Sequence, residues 1–317
     1  MTDASLPDVI QQMLQPGFYP HRVNEPVQLI QTHASFVLLT GDYAYKIKKP
    51  VNFGFLDYST LEKRQHFCTQ ELVMNRRTAP EIYLEVLPII QKGDRFQLSS
   101  NSPDLNFAEI PVEYTLKMRE FPQESLFISL LERGKLTEQI IEDLGREVAK
   151  FHSTTISNNY LRKFGEVSQI REAIDNNYRI SEKYIGGPQT QTQYQETKNY
   201  TDLFFAENQE LFDRRIANHK IRECHGDLHL RNIALWQDKI LLFDCIEFNE
   251  PFRFVDVMYD VAFTVMDLES RGRRELGNAL INTYIEQTGD WEGLQLLPLY
   301  LSRQAYVRAK VTSLMLD

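Results

Sequence analysis

Residues 225–244 read HGDLHLRNIALWQDKILLFD. Two histidines, an aspartate and an asparagine fall within nine residues, and a second aspartate closes the apolar run that follows. Such a cluster could hold a metal unaided, move a phosphoryl group, or cap a turn. The surrounding chain has to decide among these. NIALW and KILLFD are short β-type runs that straddle Gln237-Asp238, a turn signal. The resulting hairpin returns the chain so that the aspartate ending its second strand faces the loop that begins it.

Upstream, FVLLTGDYAYKIKKPV (36–51) is a second hairpin, with β-rich runs flanking Thr40-Gly41-Asp42. A helix is expected from about Ser59, where Ser59-Thr60-Leu61-Glu62 has capping-box spacing, and Pro80 should end it. EIYLEVLPIIQ and FQLSS read as strands around Lys92-Gly93-Asp94, and IPVEYTLKMREF (110–121) as another. After Pro122 the pattern turns helical, with Ile140, Leu144, Val148 and Phe151 on one face. Residues 157–192 are polar around Gly186-Gly187-Pro188 and read as an exposed insertion or lid. Helical patterning returns over 193–219 and again over the last sixty residues. The expectation is an α+β chain of two lobes: a β-rich lobe over 1–121 with one main helix, and a larger helical lobe over 122–317.

Composition narrows the class. At 42% hydrophobic residues the chain can bury a full core, and a net charge of −9 argues against a nucleic-acid surface, which needs a basic stripe. Cys68, Cys224 and Cys245 form no C-x-x-C pair, so reduced thiols and a cytoplasmic location are expected. No apolar run reaches membrane-spanning length, and the opening MTDASLPDVIQQML lacks a basic secretory start.

Asp227, Asn232 and Asp244 are the groups that phosphoryl transfer needs. One carboxylate takes the proton of an attacking hydroxyl, while an amide oxygen and a second carboxylate hold the magnesium that neutralises a triphosphate. Asparagine supplies a neutral donor, which limits negative charge near ATP. The bland alternatives are turn-forming Asp and Asn, or a zinc site of His225, Asp227 and His229, for which the other histidines are too scattered.

With these residues in view, HGDLHLRNI…LLFDCIEF resembles the phosphotransfer signature of the aminoglycoside-phosphotransferase-like proteins. These are the small-molecule branch of the protein-kinase-like fold. The likeness is greatest to an uncharacterised bacterial branch often fused to a C-terminal P-loop kinase domain. No G-x-x-x-x-G-K-[ST] occurs here, so no such second domain is expected. The resemblance implies Asp227 as catalytic base, Asn232 and Asp244 as Mg2+ ligands, and His225 as a structural support of the loop. It also implies a phosphate-binding lysine in AYKIKK, either Lys46 or Lys48 with Lys46 the better match, oriented by Glu71. In TLKMREF, Met118, Arg119 and Phe121 would border the adenine between the lobes. Departures from the pattern are equally plain. QTHASF replaces a glycine loop, leaving Thr32, His33 and Ser35 for phosphate coverage, and Cys-Ile-Glu follows Asp244, so that Glu247 is a further carboxylate near the site.

Asp256 and Asp260 are read on one helix face, Asp260 bracing the loop. Asp256, Asp260 and Asp267 suggest a cationic acceptor, and Arg308 and Lys310 either a solvated face or an anion contact. The leading reading is ATP-dependent phosphorylation of a hydroxyl on a small metabolite. A nucleotide-binding pseudokinase with a protein partner, or a protein AMP-transferase, are the alternatives.

Overall fold

The computed structural model describes residues 6–23, 26–99 and 110–314. It divides into two compact units, residues 1–125 with 241–249, and residues 126–240 with 250–317. The sequence reading placed one boundary, after Phe121. The inclusion of 241–249 in the first unit was not anticipated, because a boundary drawn once along the sequence cannot show a chain that returns.

The first unit is built on a six-stranded antiparallel sheet of order β1-β2-β3-β6-β4-β5: β1 Gln28–Gln31, β2 Ser35–Leu39, β3 Tyr43–Lys48, β4 Tyr83–Lys92, β5 Arg95–Leu98 and β6 Pro111–Arg119. Gly41 turns the β2–β3 hairpin at φ 94°, a conformation that only glycine adopts freely. Alternation along β3 sends Tyr45 and Ile47 into an apolar core with Phe36, Leu38 and Ile89, joined by Ile10 and Met13 of α1 (Asp8–Met13). Lys46 and Lys48 therefore leave by the opposite face. α2 (Leu61–Asn75) packs there, against β4 and β6.

Its N-cap is Thr60, whose hydroxyl accepts from the Lys63 N–H, rather than Ser59, and it ends at Asn75, before the expected stop at Pro80. The cap shifts by one residue because Ser59 is already used, bonded through N–H and hydroxyl to Asp57. The buried stripe of α2 is Arg64, Cys68, Glu71 and Asn75, at spacings of four, three and four. That stripe has helical period but is largely polar, which a search for apolar periodicity passes over.

The second unit is mainly helical, with α3 Phe127–Glu132, α4 Glu138–Thr154, α5 Asn159–Arg162, α6 Val167–Ser181, α7 Gln191–Glu207 and α8 Gln209–Ala217 before β7 Ile221–Glu223. β8 Ile233–Trp236 and β9 Lys239–Leu242 form the expected hairpin. Gln237 and Asp238 turn it at φ 52° and 57°, the mirror-image turn that matches strand twist. After α9 (Glu250–Arg253), β10 Phe254–Asp256 pairs antiparallel with β7, and α10 Val257–Glu269, α11 Arg274–Thr288 and α12 Leu297–Leu314 complete the unit. α10 is buried from Val257 to Leu268 and packs on α11 and α12, and α4 packs on α11.

Two expectations need correction here. Residues 157–192 are not a lid. They contain α5 and α6, and α6 buries Ile170, Ile174 and Tyr178, so the polar composition is that of its outer face. The inner face of α4 is Ile141, Leu144, Val148, Ala149 and Phe151, with Ile140 at its edge.

Arg215 is the main buried charge of this unit. It is fully buried, donates Nε and Nη2 to Asp256 at 2.8 and 2.7 Å, and also holds Asp290. Removing one partner from a buried ion group leaves uncompensated charge and costs about 3–5 kcal/mol. Arg215→Met should therefore lower the unfolding free energy in urea by an amount of that size, seen as a lower midpoint at unchanged slope. A midpoint equal to the wild type's would contradict this role.

Candidate active site

Glu71 is fully buried and receives both lysines of β3. Lys46 Nζ donates to Glu71 Oε1 at 2.7 Å, and Lys48 Nζ donates to Oε2 at 2.6 Å. Lys46 also reaches Asp244 Oδ1 at 2.6 Å, and Lys48 reaches Glu247 Oε1 at 2.5 Å. Tyr58 Oη donates to the same Glu247 oxygen at 2.6 Å.

The two lysines, equivalent in sequence, differ in access. The side chain of Lys46 retains 16% exposure beside Asp244 at 44%, while Lys48 retains 1% beside Glu247 at 5%. Lys46 thus stands at the rim of the cluster and Lys48 at its floor.

Burial disfavours every charge in the cluster, and pairing decides which survive. For both lysines burial works against the ammonium, but the facing carboxylates outweigh it and their pKa values stand well above the ordinary lysine range. Burial likewise opposes the Glu71 carboxylate, yet Lys46 and Lys48 together bring its pKa down. Glu247 has one lysine instead of two, and burial with the nearby Glu71 charge pushes its pKa up.

Several bonds fix the segment carrying Asp244 and Glu247. The Leu242 carbonyl accepts from Thr78 Oγ1 at 2.6 Å, the Asp244 N–H donates to Tyr83 Oη at 3.0 Å, and the Cys245 N–H donates to Asn75 Oδ1 at 2.9 Å. Asp244 itself has φ 59°, a left-handed conformation that aspartate tolerates better than most residues. Of the residues expected to border adenine, Met118 is buried, and Phe121 meets Phe243 edge to face at 5.4 Å. The Arg119 N–H is bonded to the Ile82 carbonyl. At the β1–β2 turn, Thr32 Oγ1 accepts from the Ser35 N–H at 2.9 Å, Ser35 is buried, and His33 is exposed.

In the second unit, α10 holds the loop 225–232 through one stripe of side chains. Asp260 accepts from the His225 and Gly226 N–H groups at 2.9 and 2.8 Å. Thr264 Oγ1 donates to the Leu228 carbonyl at 2.5 Å, and Asp267 accepts from the Leu230 N–H at 3.0 Å. Gly226, at φ 85°, makes the bend that brings consecutive N–H groups onto one carboxylate. The His225 ring is buried and its Nδ1 accepts from the Asp227 N–H at 3.3 Å. Asn232 Nδ2 donates to Asp227 O at 3.0 Å and to its Oδ2 at 3.1 Å. The Asp227 side chain keeps 35% exposure.

His152 was missed from the sequence. Its Nε2 lies 3.1 Å from Asp260 Oδ2 and its Nδ1 2.9 Å from Tyr284 Oη. A carboxylate only accepts, so Nε2 donates to it, and in the neutral ring Nδ1 then accepts from the tyrosine. A histidine ending an apolar helix face was the available signal.

Asp256 is the N-cap of α10 rather than a residue on its face, since β10 runs up to it. The cationic acceptor suggested by Asp256, Asp260 and Asp267 loses its basis. Arg215 takes Asp256, the loop and His152 take Asp260, and Leu230, Arg271 and Arg308 take Asp267. The zinc reading fares no better. Among the described residues the metal-capable group is His152, Cys224 and Asp260, not His225, Asp227 and His229, and His152 and Asp260 already bond each other.

A phosphotransferase enzyme family model matches residues 126–297, more than half of the chain. The chain belongs to the phosphotransferase enzyme family. Uncharacterised proteins of Mycobacterium tuberculosis and Mycobacterium bovis are each 29% identical to this chain over 289 residues, 91% of its length. That match is 55% of theirs, so the chain spans about half the length of the curated relatives it matches. A choline/ethanolamine kinase family protein from Mesorhizobium loti superposes with a TM-score of 0.50 at 11% identity, covering 96% of this chain and 82% of the other. The protein-kinase-like α+β fold expected from the sequence is the fold of this chain. Among the described residues no helix is long and apolar enough to cross a membrane.

Burial raises the Asp260 pKa, but hydrogen bonds from His152 and the His225 N–H outweigh it and bring it below the ordinary value. The native state then binds protons less readily than the unfolded chain, whose aspartates titrate near about 3.9. This stabilisation is complete above the unfolded value and is lost as pH falls through the depressed native one. Urea unfolding from pH 7 to pH 3 should show stability dropping below about pH 4. Asp260→Asn should lower the value at pH 7 and flatten that acid limb, and an unaltered acid limb would refute the assignment.

Proposed function

We propose that the protein transfers the γ-phosphoryl group of ATP to a hydroxyl of a small-molecule acceptor, in the cytoplasm. The observation that carries this reading is Lys46. It is an ammonium at the rim of a buried cluster, held by Glu71 behind it and paired with Asp244 beside it. A cation oriented in this way is suited to the α- and β-phosphate oxygens of a nucleotide. Lys48 is bonded on three sides, to Glu71, Glu247 and Tyr58, and is the internal counter-charge.

Asp227 would be the base. The acceptor oxygen attacks the γ-phosphorus, the bond from that phosphorus to the β–γ bridging oxygen breaks, ADP leaves, and the hydroxyl proton passes to the Asp227 carboxylate. The Asn232 amide, bonded to Asp227, restricts how that carboxylate turns. His225 and Asp260 position the loop and do not touch the reacting atoms.

Asn232 and Asp244 suit magnesium by donor chemistry, being one amide oxygen and one carboxylate, both hard donors. Asn232 directs its amide nitrogen to Asp227, which leaves the oxygen of the same amide facing another way. Magnesium held there would neutralise charge on the triphosphate. The protein's share of catalysis is then positioning and fixed charge.

The experiment uses ATP labelled at either the α- or the γ-phosphate. Label should leave the γ position, by transfer or slow hydrolysis. Asp227→Asn should reduce that rate about 10²–10⁴-fold while nucleotide affinity stays within about twofold. Full turnover in the variant, or transfer of α-label to protein, would replace this reading with another.

A further inference from the structure

With the acids around α10 committed, the uncommitted charge of this region is positive. Arg303 lies on α12, and its guanidinium carbon stands 4.4 Å from the Tyr259 ring centroid. Its Nε is buried and has no hydrogen-bond partner among the described residues. The two buried arginines of this unit have carboxylates, Arg215 with Asp256 and Asp290 and Arg253 with Glu223. Half-buried Arg303 shares an unpartnered buried Nε with Arg162 and is the one that lines the pocket beside Tyr259. Asp256 does line the same small pocket as Arg303, but Arg215 occupies both of its oxygens. A buried guanidinium N–H without an acceptor is uncommon, because the desolvation of that group goes uncompensated.

The pocket is lined by apolar Phe164, Ile170 and Val255 together with polar groups. It has a volume of about 30 Å³ and is lined by Gln169 of α6, Tyr259 of α10, and Tyr300 and Arg303 of α12. That is room for one or two waters, or for the oxygens of a carboxylate or phosphate. Lys310 lies two turns further along the same face of α12, and it too is bonded to a neutral group, Asn177 Oδ1, at 2.6 Å.

Its position relative to the loop gives the pocket meaning. Tyr259 directly precedes Asp260, whose carboxylate holds the His225 and Gly226 N–H groups beside Asp227. Burial pushes the Tyr259 hydroxyl pKa up, with Arg303 opposing the rise and Asp227 adding to it, so one phenol senses both charges.

We infer that the acceptor is an anionic hydroxy compound, and that Arg303 at the Tyr259 pocket binds its carboxylate or phosphate while its hydroxyl is presented to Asp227. This rests on the reading of Asp227 as the base. Arginine suits the task because its planar fork donates two parallel N–H bonds to an oxyanion.

The test is direct binding of a fixed panel to the full chain, followed calorimetrically, with glycerate, glycerol phosphate and inorganic phosphate beside glycerol and choline. At least one anion should bind, and glycerol and choline should not. Arg303→Ala should weaken that anion about tenfold or more, Arg303→Lys should restore part of the loss, and ATP affinity should be unchanged in both. Glycerate without phosphate would identify a carboxylate acceptor, and the two phosphates without glycerate a phosphorylated one. Asp227→Asn should retain anion binding. Turnover in Asp227→Asn would remove the base and leave the anion subsite standing. Absence of anion binding, equal binding by Arg303→Ala, or preference for glycerol or choline would overturn the inference.

Discussion

A carboxylate with no access to water has to be neutralised, and the first unit is organised around how Glu71 meets that requirement. Its two oxygens divide two lysines that alternate along one strand, and each lysine then takes a second carboxylate from the 241–249 segment. Ionised in full, the cluster would hold two positive and three negative charges. The single excess negative charge falls on Glu247, whose pKa rises as that of Glu71 falls. This asymmetry follows from geometry, since Glu71 has two ammonium partners and Glu247 one. Such a network adds little net stability over apolar packing, but it admits few alternative arrangements. Its value here is that Lys46 and Asp244 are held in register at an accessible rim.

The second unit solves a different problem with similar means. The loop 225–232 has backbone N–H and C=O groups to satisfy. Asp260, Thr264 and Asp267 satisfy them from a single helix face, and His152 fixes Asp260 from behind. Asp227 consequently gains a defined position without being buried. Both units hold these polar side chains by satisfying the backbone or charge around them.

How much of this could be read from the sequence depends on distance along the chain. Asp227 and Asn232 are five residues apart, and the Gln237-Asp238 turn separates adjacent strands, so the hairpin and the loop were legible. Alternation placed Lys46 and Lys48 on one side of β3 but could not separate them. Their difference comes from Tyr58 and Glu247, the latter 199 residues from Lys48. His152 and Asp260 are 108 apart, and Tyr83 and Asp244 are 161 apart, separations at which no local pattern operates. The acidity around α10 misled for a related reason. Residue type gives the sign of a charge, whereas its partner decides whether the charge is available to a ligand. The polar segment 157–192 similarly showed its solvent face and concealed the Ile170, Ile174 and Tyr178 that anchor it.

The central claim is that one of two chemically identical side chains meets the nucleotide and the other sustains the fold. Equilibrium binding of Mg-ATP to Lys46→Met and Lys48→Met, with urea unfolding of each, tests it most directly. Lys46→Met should lose about tenfold or more in affinity with a modest change in stability. Lys48→Met should lose mainly stability, since it strands buried carboxylates. Wild-type affinity in Lys46→Met, or a larger affinity loss in a folded Lys48→Met, would contradict the account.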